Sequence, residues 1–173
     1  MKYEIIIKKT SELTAKNIID VFDVKDQRWA YGISSQKKWF KKNINHDDYH
    51  ILIYFEKKLL AYANLVIMKA LINNMPIESF GIGNVCTCAS FSNKGFGRLL
   101  MTAINTFLKQ QEKTGLLLCK NELVTFYQSN GWKLVECEKI YFNENHLECK
   151  AMYYNLSTVF SNCINSFSVN RLF

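Results

Sequence analysis

Apolar and polar positions along this chain switch between a two-residue and a helical period, and the switches mark its elements. Residues 2–8, KYEIIIK, are a short β-rich run that predicts a first strand. Thr10, Ser11 and Thr14 offer side-chain oxygens for a helix cap, and from Ala15 onward Ile18, Ile19 and Phe22 recur at helical spacing. Gly32 breaks that helix. Ser34 and Ser35 open a second one, QKKWFKKNI, with Trp39 and Phe40 facing inward and the lysines facing water. Trp29, Tyr31 and Trp39 suit either a core or a pocket wall. YHILIYF and residues 59–72 predict a hairpin turning at Lys57-Lys58, and Asn73-Asn74-Met75-Pro76 predicts a second tight turn.

Residues 81–108, GIGNVCTCASFSNKGFGRLLMTAINTFL, read as strand, glycine-bearing turn and amphipathic helix. Ile82, Val85 and Thr87 suit a buried strand, in which Gly81 and Gly83 mark a bulge or a close backbone approach. Leu100, Ala103, Ile104, Phe107 and Leu108 form one face of a helix over 98–113. Between them, Ser92-Asn93-Lys94-Gly95-Phe96-Gly97-Arg98 turns tightly at a helix N-terminus. Orphan N–H groups and the helix dipole favour an anion there, although an ordinary strand-to-helix connection also uses glycine. The turn lacks the Gly-Lys-Ser/Thr of a P-loop and the third glycine of a dinucleotide fingerprint. Thr114-Gly115 ends the helix, and LLLCK predicts a short buried strand parallel to its predecessor. A short helix from Asn121 stops at Gly131. WKLVECEKIYF and KAMYYNL then predict two strands pairing through Asn143-Glu144-Asn145-His146.

Composition narrows the class. With 173 residues, 49% apolar and 14% aromatic, the chain is expected to pack as one domain over 1–156, with 157–173 a partly helical tail on the same domain or partly ordered. No apolar run is long enough to span a membrane, and the N-terminus lacks a signal-peptide core, so a soluble cytoplasmic protein is expected. The six cysteines show no C-x-x-C, which predicts buried free thiols. Cys86 and Cys88 share a strand face, but His46, His50 and His146 are not spaced around them, so no metal is expected. A net charge of +7 suits an anionic partner or simple solubility. Without an RNP-type or KH-type motif, nucleic acid is not the expected partner.

Two motifs carry a family resemblance. The turn Ser92-Asn93-Lys94-Gly95-Phe96-Gly97 matches Q/R-x-x-G-x-G/A, and Phe126-Tyr127-Gln128-Ser129-Asn130-Gly131-Trp132 matches F-Y-x-x-x-G-F/W, with a helix and a strand between them. On these motifs and the element order, residues 2–156 resemble the GNAT superfamily of acyl-CoA-dependent N-acetyltransferases. The resemblance implies an α/β (α+β) fold: a mixed, mostly antiparallel sheet of about seven strands flanked by about four helices. It implies acetyl-CoA as acyl donor, with the main chain of Val85, Cys86 and Thr87 pairing with the pantetheine arm. It implies N–H groups from Ser92 to Arg98 on the pyrophosphate, and Phe96 beneath the cofactor. Phe126 belongs to the second motif, whose tyrosine, here Tyr127, protonates the departing thiolate. Asn121 stands one residue short of the family's cofactor-binding asparagine.

There are departures. Ser92 replaces the usual glutamine or arginine, leaving Lys94 and Arg98 to supply charge. The family's glutamate on the fourth strand has no counterpart at Gly81, Gly83 or Asn84, and Glu78 is the nearest acid. Attack by an amine on a thioester needs a deprotonated nucleophile, and the candidate bases are Glu78, Asp47, Asp48, His50 and His146. The strand pair YHILIYFEKKLLAYANLVI and the Y-x-x-x-G-W ending are similar to aminoglycoside 2'-N-acetyltransferases, but a basic chain is a poor match for a polycation. The expected acceptor is a small primary amine. A protein or peptide amine, or a non-catalytic basic or RNA-binding module, is the alternative, and the assembly is expected to be a monomer or a homodimer.

Overall fold

The computed structural model describes residues 3–136, 140–142, 145–157, 164–171 and 173. Its contacts fall into two compact units, one comprising Met1–Val66, Gly83–Ile104 and Phe173, the other Ile67–Ile82 and Asn105–Leu172.

The first unit holds β1 (Glu4–Lys9), α1 (Ala15–Arg28), α2 (Ile33–Asn43) and β2 (Tyr49–Phe55). It also holds the opening part of β3 (Lys58–Ile72), the end of β4 (Met75–Thr87) and the start of α3 (Phe96–Gln110). β1 pairs antiparallel with β2 from Glu4↔Tyr54 to Lys9↔Tyr49, and β2 pairs antiparallel with β3. The β2–β3 turn is made by Glu56 and Lys57 at φ 46° and 64°, the left-handed pair whose twist matches a hairpin. Thr14 caps α1 by accepting from the Asn17 N–H at 3.2 Å. The Asn17 amide then donates to the Tyr54 hydroxyl at 3.0 Å, and that hydroxyl donates to Asp20 at 2.9 Å, tying the helix start to β2. α2 begins at Ile33, earlier than the serine signal predicts, because Asp26 accepts from the Gly32 N–H at 2.7 Å and fixes the entry. The core of this unit packs Val21, Phe22 and Val24 of α1 against Leu52, Tyr54, Leu59, Tyr62, Cys86 and Cys88.

A polar seam crosses this core. His50 is fully buried, with Nδ1 at 2.8 Å from the Tyr62 hydroxyl and Nε2 at 2.9 Å from the Thr10 hydroxyl. Its ring stacks between Phe40 and Tyr62. Burial pushes His50 down to about 4, against a smaller upward pull from Asp48, and holds the Tyr62 phenol well above its ordinary value.

In the second unit, Asn73 and Asn74 turn the β3–β4 hairpin at φ 52° and 63°, as the asparagine pair predicts. β5 (Thr114–Cys119) runs parallel to β4 from Ser79↔Thr114 to Gly81↔Leu116. β9 (Lys150–Tyr154) pairs antiparallel with β5, and β6 (Lys133–Leu134) pairs antiparallel with β9. β7 (Ile140–Phe142) does not join β9 as expected. It pairs with β8 (Asn145–His146) and lies parallel to β10 (Phe167–Val169), which is antiparallel to β3. Among its described residues the expected tail contributes a strand at 167–169. Asn143, Glu144, Cys137 and Cys163 lie outside the described residues.

The described residues make ten strands and four α-helices, α4 being Val124–Gln128, in a mixed and mostly antiparallel arrangement. The count exceeds seven because β6, β8 and β10 are two or three residues long, too short for periodicity to register. Among the described residues no helix is long and apolar enough to cross a membrane.

The buried histidine sets a pH dependence. With its value lowered from 6.5 to about 4 on folding, native His50 binds fewer protons than unfolded His50 across that window. Stability therefore falls as pH drops from about 6.5 to about 4, by up to about 3 kcal/mol, and His50 is without effect above it. Urea unfolding of wild type and His50→Gln at several pH values in this range should show the variant losing less. Equal losses would remove His50 as the cause.

Candidate active site

β4 carries a local irregularity before its end. Asn84 sits in the left-handed region at φ 51° inside the strand, a departure from extended backbone just before the last three residues of β4. Its amide donates to Asn64 Oδ1 at 2.5 Å. Asn64 is fully buried, and its Nδ2 is the one sealed side-chain polar atom without a partner among the described residues. The main chain of Phe173 lies against Gly83, where a Cβ would collide with it, so the end of the tail returns to β4. Beyond Asn84, Val85 and Thr87 are half-buried and Cys86 is buried. The parallel ladder to β5 stops at Gly81, whereas β4 runs on to Thr87.

Cys86 is no nucleophile. Burial pushes its thiol up to about 12, outweighing the nearby cations of Lys25 and Arg28. Lys25 is itself 3% exposed, with its ammonium 4.0 Å from the centre of the Trp39 ring. Burial lowers it to about 8, and no carboxylate pairs with it among the described residues. Helical spacing alone assigns Lys25 to the buried face of α1, but a lysine on an apolar face reads as a surface residue until its ring partner is known.

The tight turn predicted over Ser92 to Arg98 is formed. A short 3₁₀ turn over Ala89–Phe91 leads into it, Asn93 takes φ 59° and Gly95 takes φ 86°, and α3 starts at Phe96. Gly95 has open space where a Cβ would stand, so its need for glycine is conformational rather than steric. The Ser92 and Lys94 N–H groups point back to Ala89 and Phe91 at 3.2 and 3.4 Å. The N–H groups of Asn93, Gly95, Phe96, Gly97 and Arg98 meet no protein acceptor among the described residues. Phe96 is buried edge-on against Phe91 at 5.7 Å. Lys94 and Lys58 place their ammonium groups 4.9 and 5.4 Å from the centre of the Phe91 ring, beside the turn.

The candidates Asn121, Phe126 and Tyr127 belong to the other unit. Asn121 is exposed at the head of a 3₁₀ turn that runs into α4. Phe126 and Tyr127 lie on α4 with ring centres 5.1 Å apart. Gly131, at φ 85°, ends this helix, and Trp132 is pinned by its indole N–H donating to Asn105 at 2.9 Å. The same Asn105 donates to the Asn130 carbonyl at 2.9 Å. The glycine and tryptophan of the motif are thus the devices that stop and anchor α4. Tyr127 is buried, yet no group among the described residues hydrogen-bonds its hydroxyl. Burial, with a smaller push from Cys119, holds its phenol well above the ordinary value, so the proton stays on oxygen at neutral pH.

The five candidate bases are each occupied or exposed. Glu78 is an exposed ion pair with Lys113 at 2.6 Å, which holds its carboxyl below the usual range and weakens it as a base. Asp47 pairs with Lys9 at 3.0 Å, and Asp48 is buried and accepts from the Asn45 N–H at 2.6 Å. His50 is sealed in the seam described above, and His146 is exposed on β8 against Tyr141. Among the described residues no group of His, Cys, Asp and Glu is arranged to hold a metal.

No match is found among curated proteins. Solved structures share the fold at low identity. ElaA of Escherichia coli superposes with a TM-score of 0.65 at 20% identity, covering 88% of this chain and 99% of that one. An aminoglycoside 6'-N-acetyltransferase complexed with coenzyme A gives 0.61 at 13%, covering 86% and 94%. The ribosomal-protein-S18-alanine N-acetyltransferase of Escherichia coli gives 0.63 at 15%, covering 92% and 98%. The family model described as an acetyltransferase (GNAT) domain matches residues 8–135. A match over most of the chain, on the fold these neighbours share, means that the chain belongs to the GNAT acetyltransferase family and is an acyl-CoA N-acyltransferase.

Proposed function

We propose that this enzyme transfers an acetyl group from acetyl-CoA to the primary amine of a small molecule, by direct attack on the thioester. One observation carries the reading: among the described residues the main-chain N–H groups of Asn93, Gly95, Phe96, Gly97 and Arg98 meet no protein acceptor at the start of a fifteen-residue helix. Such donors fit a diphosphate, and Lys58, Lys94 and Arg98 add the charge that Ser92 does not supply. Main-chain donors do not depend on the side chain at 92, so the departure from the family motif leaves them intact. The half-buried strand end at Val85 and Thr87, past the last β5 pair, suits main-chain pairing with the pantetheine arm, with Cys86 contributing its backbone alone. Asn121 and Phe126 are assigned to the cofactor by their place in the family pattern.

The reaction then runs as follows. The amine nitrogen, after losing a proton to water, bonds to the thioester carbon, and N–H groups near Val85 to Thr87 take the developing oxyanion. The carbon–sulfur bond breaks, Tyr127 gives its proton to the sulfur, and the phenolate is reprotonated from solvent. Among the described residues no group hydrogen-bonds its hydroxyl, and it is in the acid form at neutral pH, although burial makes it a weaker acid than an exposed phenol. Water is the base here because Glu78, Asp47, Asp48 and His50 are engaged by their own partners and His146 stands exposed on β8.

Acetyl-CoA at about 100 times its Kd should stabilise the protein by about 2.7 kcal/mol in a thermal shift experiment. Gly95→Ala forces a side chain into φ 86° at a cost of about 1 kcal/mol, and calorimetry should show weaker acetyl-CoA binding. Binding at wild-type strength in Gly95→Ala would place the diphosphate elsewhere. Tyr127→Phe should lower kcat by about 10²-fold or more in an amine panel followed by thiol release, with acetyl-CoA affinity kept. The panel should include peptides with free N-termini, and turnover confined to these would replace the small-molecule acceptor. Unchanged kcat would remove Tyr127 from the chemistry.

A further inference from the structure

We propose that β1 is the contact strand of a two-fold symmetric homodimer, pairing antiparallel with β1 of a second copy and centred on Ile6. Among the described residues β1 pairs with β2 alone, so its other edge presents unpaired main-chain donors and acceptors up to Lys9, whose N–H is taken by the Glu12 carboxylate at 2.8 Å. The strand, Glu4–Lys9, contains neither proline nor glycine nor a bulge to blunt that edge.

The side chains beside the edge are apolar and open. Tyr3, Ile5 and Ile7 are 45%, 40% and 39% exposed on one face of the strand. Ile5 and Ile7 stand opposite Ile53 and Ile51 of β2, which are fully buried, so the apolar face of this sheet runs out to its rim uncovered. On the other face Ile6 packs against the α1 core, with Glu4 and Lys8 flanking it.

Charge selects the partner and the register. Glu-Ile-Ile-Ile-Lys, residues 4–8, reads acid to base about Ile6. An antiparallel copy centred on Ile6 sets Glu4 opposite Lys8 twice and Ile5 opposite Ile7 twice, closing four isoleucines into one patch. Sliding the register to Ile5 or Ile7 sets Glu4 or Lys8 opposite isoleucine and loses both charge pairs. Among the described residues neither Glu4 nor Lys8 has an ion-pair partner, in contrast to Lys9, which is held by Asp47. A self-complementary edge of this kind makes an isologous contact. Its length, about 20 Å for six residues, is below what a standard interface of about 800 Å² per partner requires, so the dimer is weak and concentration-dependent.

Sedimentation velocity over a concentration series up to about 1 mM tests this. Wild type should show a reversible monomer–dimer equilibrium. Glu4→Lys and Lys8→Glu each place like charges opposite one another at two positions and should weaken association about tenfold. The double variant Glu4→Lys/Lys8→Glu restores both attractive pairs in reversed sense and should recover the wild-type dimer. Circular dichroism confirms that each variant is folded, and the double variant carries the test should one single variant fail to fold. A wild type monomeric throughout, a dimer indifferent to both reversals, or a double variant no better than the singles would each overturn the proposal.

Discussion

The first turn of α3 begins with N–H groups that its own geometry cannot satisfy, and the surrounding chain is built to leave them that way. An α-helix always starts with orphan donors, and most helices cover them with a serine, threonine or aspartate side chain. Here Gly95 stands at that position and supplies no oxygen, and Ser92 and Lys94 spend their own N–H groups on the preceding 3₁₀ turn. The left-handed angles at Asn93 and Gly95 turn the chain without adding an acceptor. Donors exposed in this way are stabilised by an anion brought from outside, and the absence of a cap is the structural condition for binding one.

Holding such a loop steady falls to the apolar residues around it. Phe96 is buried against Phe91, and Leu100, Met101 and Ile104 on the same helix are fully buried, so α3 is anchored by its apolar face while its N-terminus stays open. The β2–β3 hairpin of the same unit is fastened differently, through the His50, Tyr62 and Thr10 contacts that pair every buried polar group they involve. Asn64, directly opposite His50 in the β2–β3 ladder, breaks that pattern with its unpartnered Nδ2. An unpaired buried donor costs about 1–3 kcal/mol, and Asn84, which engages only the carbonyl oxygen of Asn64, leaves that cost in place where the seam leaves none.

Much of this was legible in the residues because the chemistry is local. The Asn-Asn pair announces its own left-handed turn, and the Gly95 turn followed by an amphipathic run announces a helix N-terminus whatever the tertiary context. The parallel placement of β5 follows from a crossover that has one favoured hand. Local pattern failed where long-range partners decide. β7 pairs with β8 and β10 because a strand at 167–169 arrives beside it, and three residues in a weakly alternating tail carry no periodicity to reveal that. Glu78 reads as a candidate base until Lys113, thirty-five positions away, is seen beside it. Lys25 reads as surface until Trp39 covers it.

The same contrast sorts the surplus positive charge. Lys9, Lys16 and Lys113 are matched by Asp47, Asp20 and Glu78, which cancels their fields at short range. Lys58 and Lys94 meet the ring of Phe91 instead, and Lys25 meets Trp39. An aromatic face steadies an ammonium by about 0.5–1 kcal/mol at an exposed site without neutralising it. Ring-held lysines therefore remain net positive while losing conformational freedom, which lowers the entropy cost of meeting an anion. Lys58 and Lys94 stand beside the open N–H groups of the turn, so under the proposed function the part of the net charge of +7 available to a diphosphate is the part left unpaired by carboxylates. A chain that was merely made soluble by lysine would have no reason to place two of them over one phenylalanine next to an uncapped helix.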